Sequence, residues 1–92
     1  MNISIILPAY NEKDTVEPLI RRILNLKYPV EIIVVDDNSP DGTWKIVDKI
    51  SKENNNVRLL RRIDKKGLTS AILDGISNSK GEIVVWMDCD LT

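Results

Sequence analysis

The sequence predicts a parallel, doubly wound α/β sheet built as βαβαβαβ. Three observations carry that reading: four short apolar runs, three stripes of apolar residues at helical spacing between them, and turn-forming residues at the junctions. Residues 3–7 open the chain as a continuous apolar-rich run, the mark of a strand covered on both faces. Val16, Leu19, Ile20, Ile23 and Leu24 then fall on one helical face, with Asp14 and Glu17 spaced as a capping box. Residues 32–35 are the second strand. Ser39 and Pro40 read as an N-cap and first helical position ahead of Trp44, Val47 and Ile50, and the run Asn54-Asn55-Asn56 stops that helix. Residues 57–60 form a weaker third strand. Gly67 precedes the stripe Leu68, Ala71, Ile72, Gly75 and Ile76, and Gly81 precedes the fourth strand at residues 83–87. Trp44 and Trp86 are expected in the core. The usual half of such a sheet has strand order 3-2-1-4.

Composition sets the class. The chain has 92 residues, 42% hydrophobic and 29% charged, which suits one small soluble domain or part of a larger one. A net charge of −1 gives no electrostatic footprint for nucleic acid, so none is expected as a partner. One cysteine excludes an intrachain disulfide, and the absence of histidine excludes Ser-His-Asp and Cys-His nucleophile systems and histidine metal ligands. No apolar stretch approaches the ~20 residues of a membrane span, and no signal peptide opens the chain, so a cytoplasmic location is expected.

Acidic residues cluster where strands end. With order 3-2-1-4 the connections reverse between the first and fourth strands, opening a crevice at their carboxyl ends where ligands bind. The first strand would deliver residues 8–12 there, the second Asp36 and Asp37, and the fourth Asp88-Cys89-Asp90. Extended residues two apart face the same way about 6–7 Å apart, so Asp88 and Asp90 can share one ion. Carboxylate oxygens suit Mg²⁺ or Mn²⁺. The same pair also occurs as ordinary turn and cap residues, and that reading stays open on spacing alone.

Missing motifs narrow the chemistry. No Gly-x-Gly-x-x-Gly follows the first strand, which carries Pro8-Ala9-Tyr10-Asn11-Glu12, and no Gly-Lys-Ser/Thr loop exists. Dehydrogenase and P-loop readings fail. A receiver-like domain places its acidic pair after the first strand, whereas Asp36-Asp37 follows the second, so it stays as the weaker alternative. A nucleotide-diphosphate site remains, with a metal rather than a glycine cradle neutralising the phosphates. A non-catalytic nucleotide-binding or interaction module is the competing class.

The strings LPAYNE (7–12), VVDDNSPDGT (34–43), KKGLTSAILDG (65–75) and GEIVVWMDCDLT (81–92) resemble, in order and spacing, the inverting family-two glycosyltransferases of the GT-A fold. Among these the dolichyl-phosphate mannose synthases are most similar. The resemblance implies transfer of a sugar, mannose favoured, from a nucleotide-diphosphate sugar such as GDP-mannose to a lipid phosphate with inversion. It places Pro8, Tyr10 and Glu12 in the loop lining base and ribose, and Val35 and Asp37 at the strand end that reads the base. Asp88, Cys89 and Asp90 match the segment meeting diphosphate and metal, with Asp88 and Asp90 as metal ligands for Mg²⁺ or Mn²⁺. Thr92 stands where relatives carry glutamine or serine. Asp36 is expected to be structural, Lys65-Lys66 a solvated helix start able to face the diphosphate, and Ser39 through Thr43 a helix start fixing Asp37. The resemblance also makes residues 1–92 the donor-binding half of a transferase acting at the cytoplasmic face of a membrane. The acceptor-binding half lies outside them. Such a half is expected to be inactive alone and to self-associate through its exposed fourth strand.

Overall fold

In the computed structural model, residues 3–64 and 66–89 are described. Their order is β1 (Ile3–Ala9), α1 (Val16–Asn25), β2 (Val30–Asp36), α2 (Thr43–Glu53), β3 (Val57–Arg61), α3 (Leu68–Ser77) and β4 (Ile83–Trp86). The four strands pair in parallel in the order β3-β2-β1-β4. The expected topology is the one observed.

Handedness explains where the helices lie. Steps from β1 to β2 and from β2 to β3 run one way across the sheet, and right-handed crossovers put α1 and α2 on one face. The step from β3 to β4 runs back, so α3 crosses the other. The two faces carry separate cores. Ile5, Leu7, Ile32 and Val34 pack with Val16, Ile20, Val47 and Ile50 on the first, and Ile6, Ile33 and Val35 pack with Ala71 on the second. α3 approaches β1 closely at Gly75, where a Cβ would overlap the Ile6 side chain.

Burial falls from the middle of the sheet outward. Every residue of β2 is buried, whereas every residue of β4 is exposed. Trp86 is 46% exposed, against the expectation of a core position, because the helices pack chiefly over β1, β2 and β3. β4 lies at the margin, so its apolar run does not mark a strand covered on both faces. Trp44 is half-buried rather than core, with the Arg61 guanidinium stacked 3.7 Å above its ring centroid. On α3, Ala71 and Gly75 are buried, but Leu68 and Ile76 face outward.

Two helix starts differ from the sequence reading. α1 is preceded by Thr15 at the N-cap with no side-chain cap, and Glu17 pairs with Arg21 one turn on instead of closing a box with Asp14. α2 begins at Thr43, not at Pro40. Ser39 cannot cap it there, because the buried Asp36 carboxylate accepts from both the Ser39 N–H (2.9 Å) and Oγ (2.6 Å). Gly42 stands at the N-cap with no side-chain cap, and Asp41 ahead of it accepts from the Thr43 N–H at 3.0 Å and hydroxyl at 2.5 Å. Desolvation acts to raise the Asp41 carboxyl, but these Thr43 bonds and the Lys13 N–H hold it below its usual range.

At the opposite end of the sheet a buried polar cluster ties β4's approach to β1 and β2. Glu31 on β2 accepts from Ser4 Oγ, the Lys80 backbone N–H and Arg58, while Gly81 N–H donates to Ser4 Oγ at 2.8 Å. Gly81 has no room for a side chain, since a Cβ would sit 2.7 Å from the Ser4 backbone nitrogen.

Candidate nucleotide-sugar site

The carboxyl ends of β1, β2 and β4 meet the start of α3 around a cavity of about 600 Å³, within the ordinary range for small-molecule sites. Pro8, Ala9, Tyr10 and Glu12 line it from β1, Asp37 from β2, and Asp88 and Cys89 from β4. Lys66 and Gly67 close it from the turn before α3, and Leu68 and Ala71 from α3 itself. The position is the switch point where β1 leads one way to β2 and the chain returns to β4.

Short polar side chains from the segment after β2 hold the loop after β1. Asn11 N–H donates to Ser39 Oγ (3.0 Å), Glu12 N–H to Thr43 Oγ1 (2.9 Å) and Lys13 N–H to Asp41 Oδ2 (3.2 Å). Three backbone donors that would otherwise need water are thereby satisfied. Asn11 and Asn38 adopt the left-handed conformation, which asparagine tolerates and which turns each chain sharply away from its strand. The 36–43 segment therefore braces Asp36 and the Tyr10 loop, rather than fixing Asp37 as the sequence suggested. Asp36 is fully buried and structural.

Asp37 is held from another direction. Its Oδ1 accepts from Arg62 Nε at 2.6 Å, and its Oδ2 accepts from Arg62 Nη2 at 2.9 Å and from Gly67 N–H at 3.0 Å. Gly67 has φ +119°, a conformation side-chain-bearing residues rarely adopt, and this turn aims its N–H at the carboxylate. Hydrogen bonding to Asp37 raises the Arg62 guanidinium above its usual value, opposing its burial.

The other expected residues divide clearly. Tyr10 is 49% exposed and lines the cavity, a position a stacking wall requires. Glu12 lines the same rim and accepts from Thr15 Oγ1. Val35 does not reach the cavity: its side chain is fully buried against Ile6, Ile33 and Ala71, because the strand's alternation turns it inward. Asp88 is exposed at the cavity edge, and Cys89 is buried in the core with its carbonyl accepting from Thr15 Oγ1 at 2.8 Å. Asp90, Thr92 and Lys65 lie outside the described residues. Arg62 was absent from the sequence reading, since an arginine after a weak strand reads as a solvated end. Its one signal was position, at the third carboxyl end of the same sheet.

The donor set suits a hard divalent cation at Asp88. Asp88 lines the cavity, and the Cys89 residue beside it is buried. Among the described residues no group of three His, Cys, Asp or Glu side chains could hold a metal unaided. A cation at Asp88 would need further oxygen ligands, which water or a bound diphosphate can supply.

The parallel sheet with its cleft at the switch point is the α/β arrangement of the GT-A glycosyltransferase neighbours. The chain belongs to glycosyl transferase family 2, whose family model matches residues 4–92. It is 43% identical over 95 residues to a dolichol-phosphate mannosyltransferase of Pyrococcus furiosus, covering 99% of this chain and 26% of that protein. It is 42% identical to the enzyme of that name from Saccharomyces cerevisiae, covering 96% of this chain and 35% of the yeast protein. Among solved structures, a mannosyltransferase from Pyrobaculum calidifontis in complex with GDP-Man and Mn²⁺ superposes with a TM-score of 0.86 at 30% identity. That match covers 97% of this chain and 27% of the other. Glucosyl-3-phosphoglycerate synthase from Mycobacterium tuberculosis, with Mn²⁺, UDP and glucosyl-3-phosphoglycerate, gives a TM-score of 0.75 at 31% identity, covering 99% and 34%. The chain thus spans about a quarter to a third of the length of these relatives.

Proposed function

We propose that these residues are the donor-binding part of a transferase that moves mannose from GDP-mannose to a dolichyl or other polyprenyl phosphate with inversion. The observation that carries it is the convergence of Tyr10, Asp37 and Asp88 on one cavity at the switch point, in a chain whose relatives at 42–43% identity bear the name dolichol-phosphate mannosyltransferase. The neighbour holding GDP-Man and Mn²⁺ supports the same donor and a divalent cation.

In this reading Tyr10 stacks on the base and Asp37 accepts from it. Asp88, together with Asp90, would hold Mg²⁺ or Mn²⁺. Such a cation would supply charge neutralisation for the diphosphate leaving group. An oxygen of the acceptor phosphate attacks the anomeric carbon from the face opposite the diphosphate, a carbon–oxygen bond forms, and the bond to the diphosphate breaks with both electrons leaving on oxygen. A phosphate acceptor with its second pKa near ~6 is already largely anionic at neutral pH, so no histidine base is required. Acceptor-binding residues lie outside these 92, and we place the meeting of donor and lipid at the cytoplasmic face of the membrane. The exposed β4 edge would also let two copies of this chain associate.

Calorimetric titration of GDP and GDP-mannose, with Mn²⁺ and then with a chelator, tests the donor assignment. Metal-dependent binding is the expected result. Equal affinity in both conditions, or none in either, would refute it.

A further inference from the structure

Arg62 is the most completely engaged side chain beside the cavity. Only 6% of the residue is exposed, and its guanidinium has five N–H donors in a fixed fork. Nε and one Nη2 donor go to the two oxygens of Asp37, the second Nη2 donor to the Gly67 carbonyl at 3.1 Å. Nη1 donates to Ser70 Oγ at 2.9 Å and Asp74 Oδ2 at 3.0 Å. That accounts for all five. No donor is left to point at a ligand, so Arg62 cannot serve the cavity by direct contact.

Arg62 ties the end of β2 and the chain leaving β3, already paired as far as Asp36 and Arg61, to the start of α3. Its backbone N–H donates to the Asp36 carbonyl at 2.7 Å, which fixes the chain leaving β3 against the end of β2. Its head group then spans from Asp37 to the first two turns of α3. The Gly67 N–H closes the ring by returning to Asp37 Oδ2. The two Arg62 bonds reach both oxygens of Asp37 as a bidentate pair, so rotating the carboxylate would break both. Oδ2 already accepts two hydrogen bonds and Oδ1 one. The acceptor capacity that Asp37 offers a ligand is therefore confined to Oδ1, in one direction.

We propose that Arg62 is a positioning residue for nucleoside recognition: it fixes the Asp37 carboxylate and the Gly67 turn as one wall of the cavity, leaving the diphosphate end of the site to other residues. This rests on the donor-site reading above. A lysine cannot reproduce the fork, although it keeps the charge.

The test compares GDP with inorganic pyrophosphate, each titrated with Mn²⁺ into the chain and its variants. Arg62→Lys is expected to weaken GDP about tenfold, the loss of roughly one charged hydrogen bond's worth of positioning, and to leave pyrophosphate within about twofold. Asp37→Asn is expected to weaken GDP similarly, and the double variant no further than the weaker single, because both break one unit. Asp74→Asn, which loosens the outer end of the guanidinium without touching the cavity, keeps the question answerable if Arg62→Lys fails to fold. It is expected to weaken GDP about threefold at unchanged pyrophosphate affinity. Unaltered GDP affinity in these variants, or an equal loss for GDP and pyrophosphate, would overturn the positioning role while leaving the donor site standing. Failure of the unaltered chain to bind either probe would remove the donor site, and this inference with it.

Discussion

Asp88 and Glu31 show how one chemical group can serve opposite ends of this sheet. Asp88 is exposed at the cavity rim, so its carboxylate contributes little to folding and is free for a cation. Asp88→Ala is expected to leave stability within about 0.5 kcal/mol while removing the Mn²⁺ dependence of GDP binding, read by calorimetry beside a thermal melt. Glu31 is 2% exposed. Its burial acts to raise the carboxyl, yet hydrogen bonds from Ser4 and the Lys80 backbone, with the charge and donor of Arg58, hold it below its usual 4.5. A carboxyl lowered on folding contributes stability above its unfolded pKa, and that contribution is lost as pH falls through the folded value. Stability should therefore decline as acid is added below pH 4.5, and Glu31→Gln should remove its share of that decline. Chemical denaturation at pH 7 and at successively lower pH measures it; a Glu31→Gln variant with the same acid slope as the parent would count against the assignment.

At the scale of elements, α3 does most to shape the site, since it supplies the cavity's third wall and anchors Asp37 through Arg62. Its seat depends on Gly75. A methyl group there meets Ile6, which is fully buried on β1 and cannot retreat without disturbing its neighbours. Gly75→Ala should cost about 1–3 kcal/mol despite alanine's better helix propensity, because overpacking outweighs the few tenths to one kcal/mol that propensity returns. Urea denaturation of the variant decides the sign. The elements themselves were legible, because apolar runs and helical stripes are set by burial along a strand or one helix face. Helix starts were not. Whether Ser39 caps α2 depends on Asp36 claiming its hydroxyl first, and that competition is settled by the end of a buried strand rather than by the local string. Asp37, Tyr10 and Asp88 could be placed because topology alone sends strand ends to the switch point. Val35 was misplaced by one step of strand alternation, and Arg62 was missed because its partners are 25, 12, 8 and 5 residues away in sequence.

Across the whole molecule, burial and exposure are unevenly shared between the two edges of the sheet. The β3 edge is partly shielded by its own arginines, with Arg58 and Arg61 directed into polar and aromatic partners. β4 has no such device. Ile83, Val84, Val85 and Trp86 are all exposed, between 38% and 57%, on a strand paired with β1 on one side and with no described strand on the other. Leu73 and Ile76 on α3 add further exposed apolar surface. An edge that is both apolar and unpaired presents backbone donors and acceptors together with a hydrophobic face, the combination that recruits a second strand. The 92-residue chain is therefore expected to associate with itself as its concentration rises. Alternation puts Ile83 and Trp86 on opposite faces of β4, so Ile83→Lys combined with Trp86→Lys places one charge on each face. Lysines are a common guard on natural edge strands, and at these exposed positions they displace no core contact. The double variant should sediment as a monomer at concentrations where the parent chain does not, with an unchanged far-ultraviolet dichroism spectrum. A parent chain that remains monomeric up to millimolar concentration would show that β4 is tolerated bare, and would reject association through this edge.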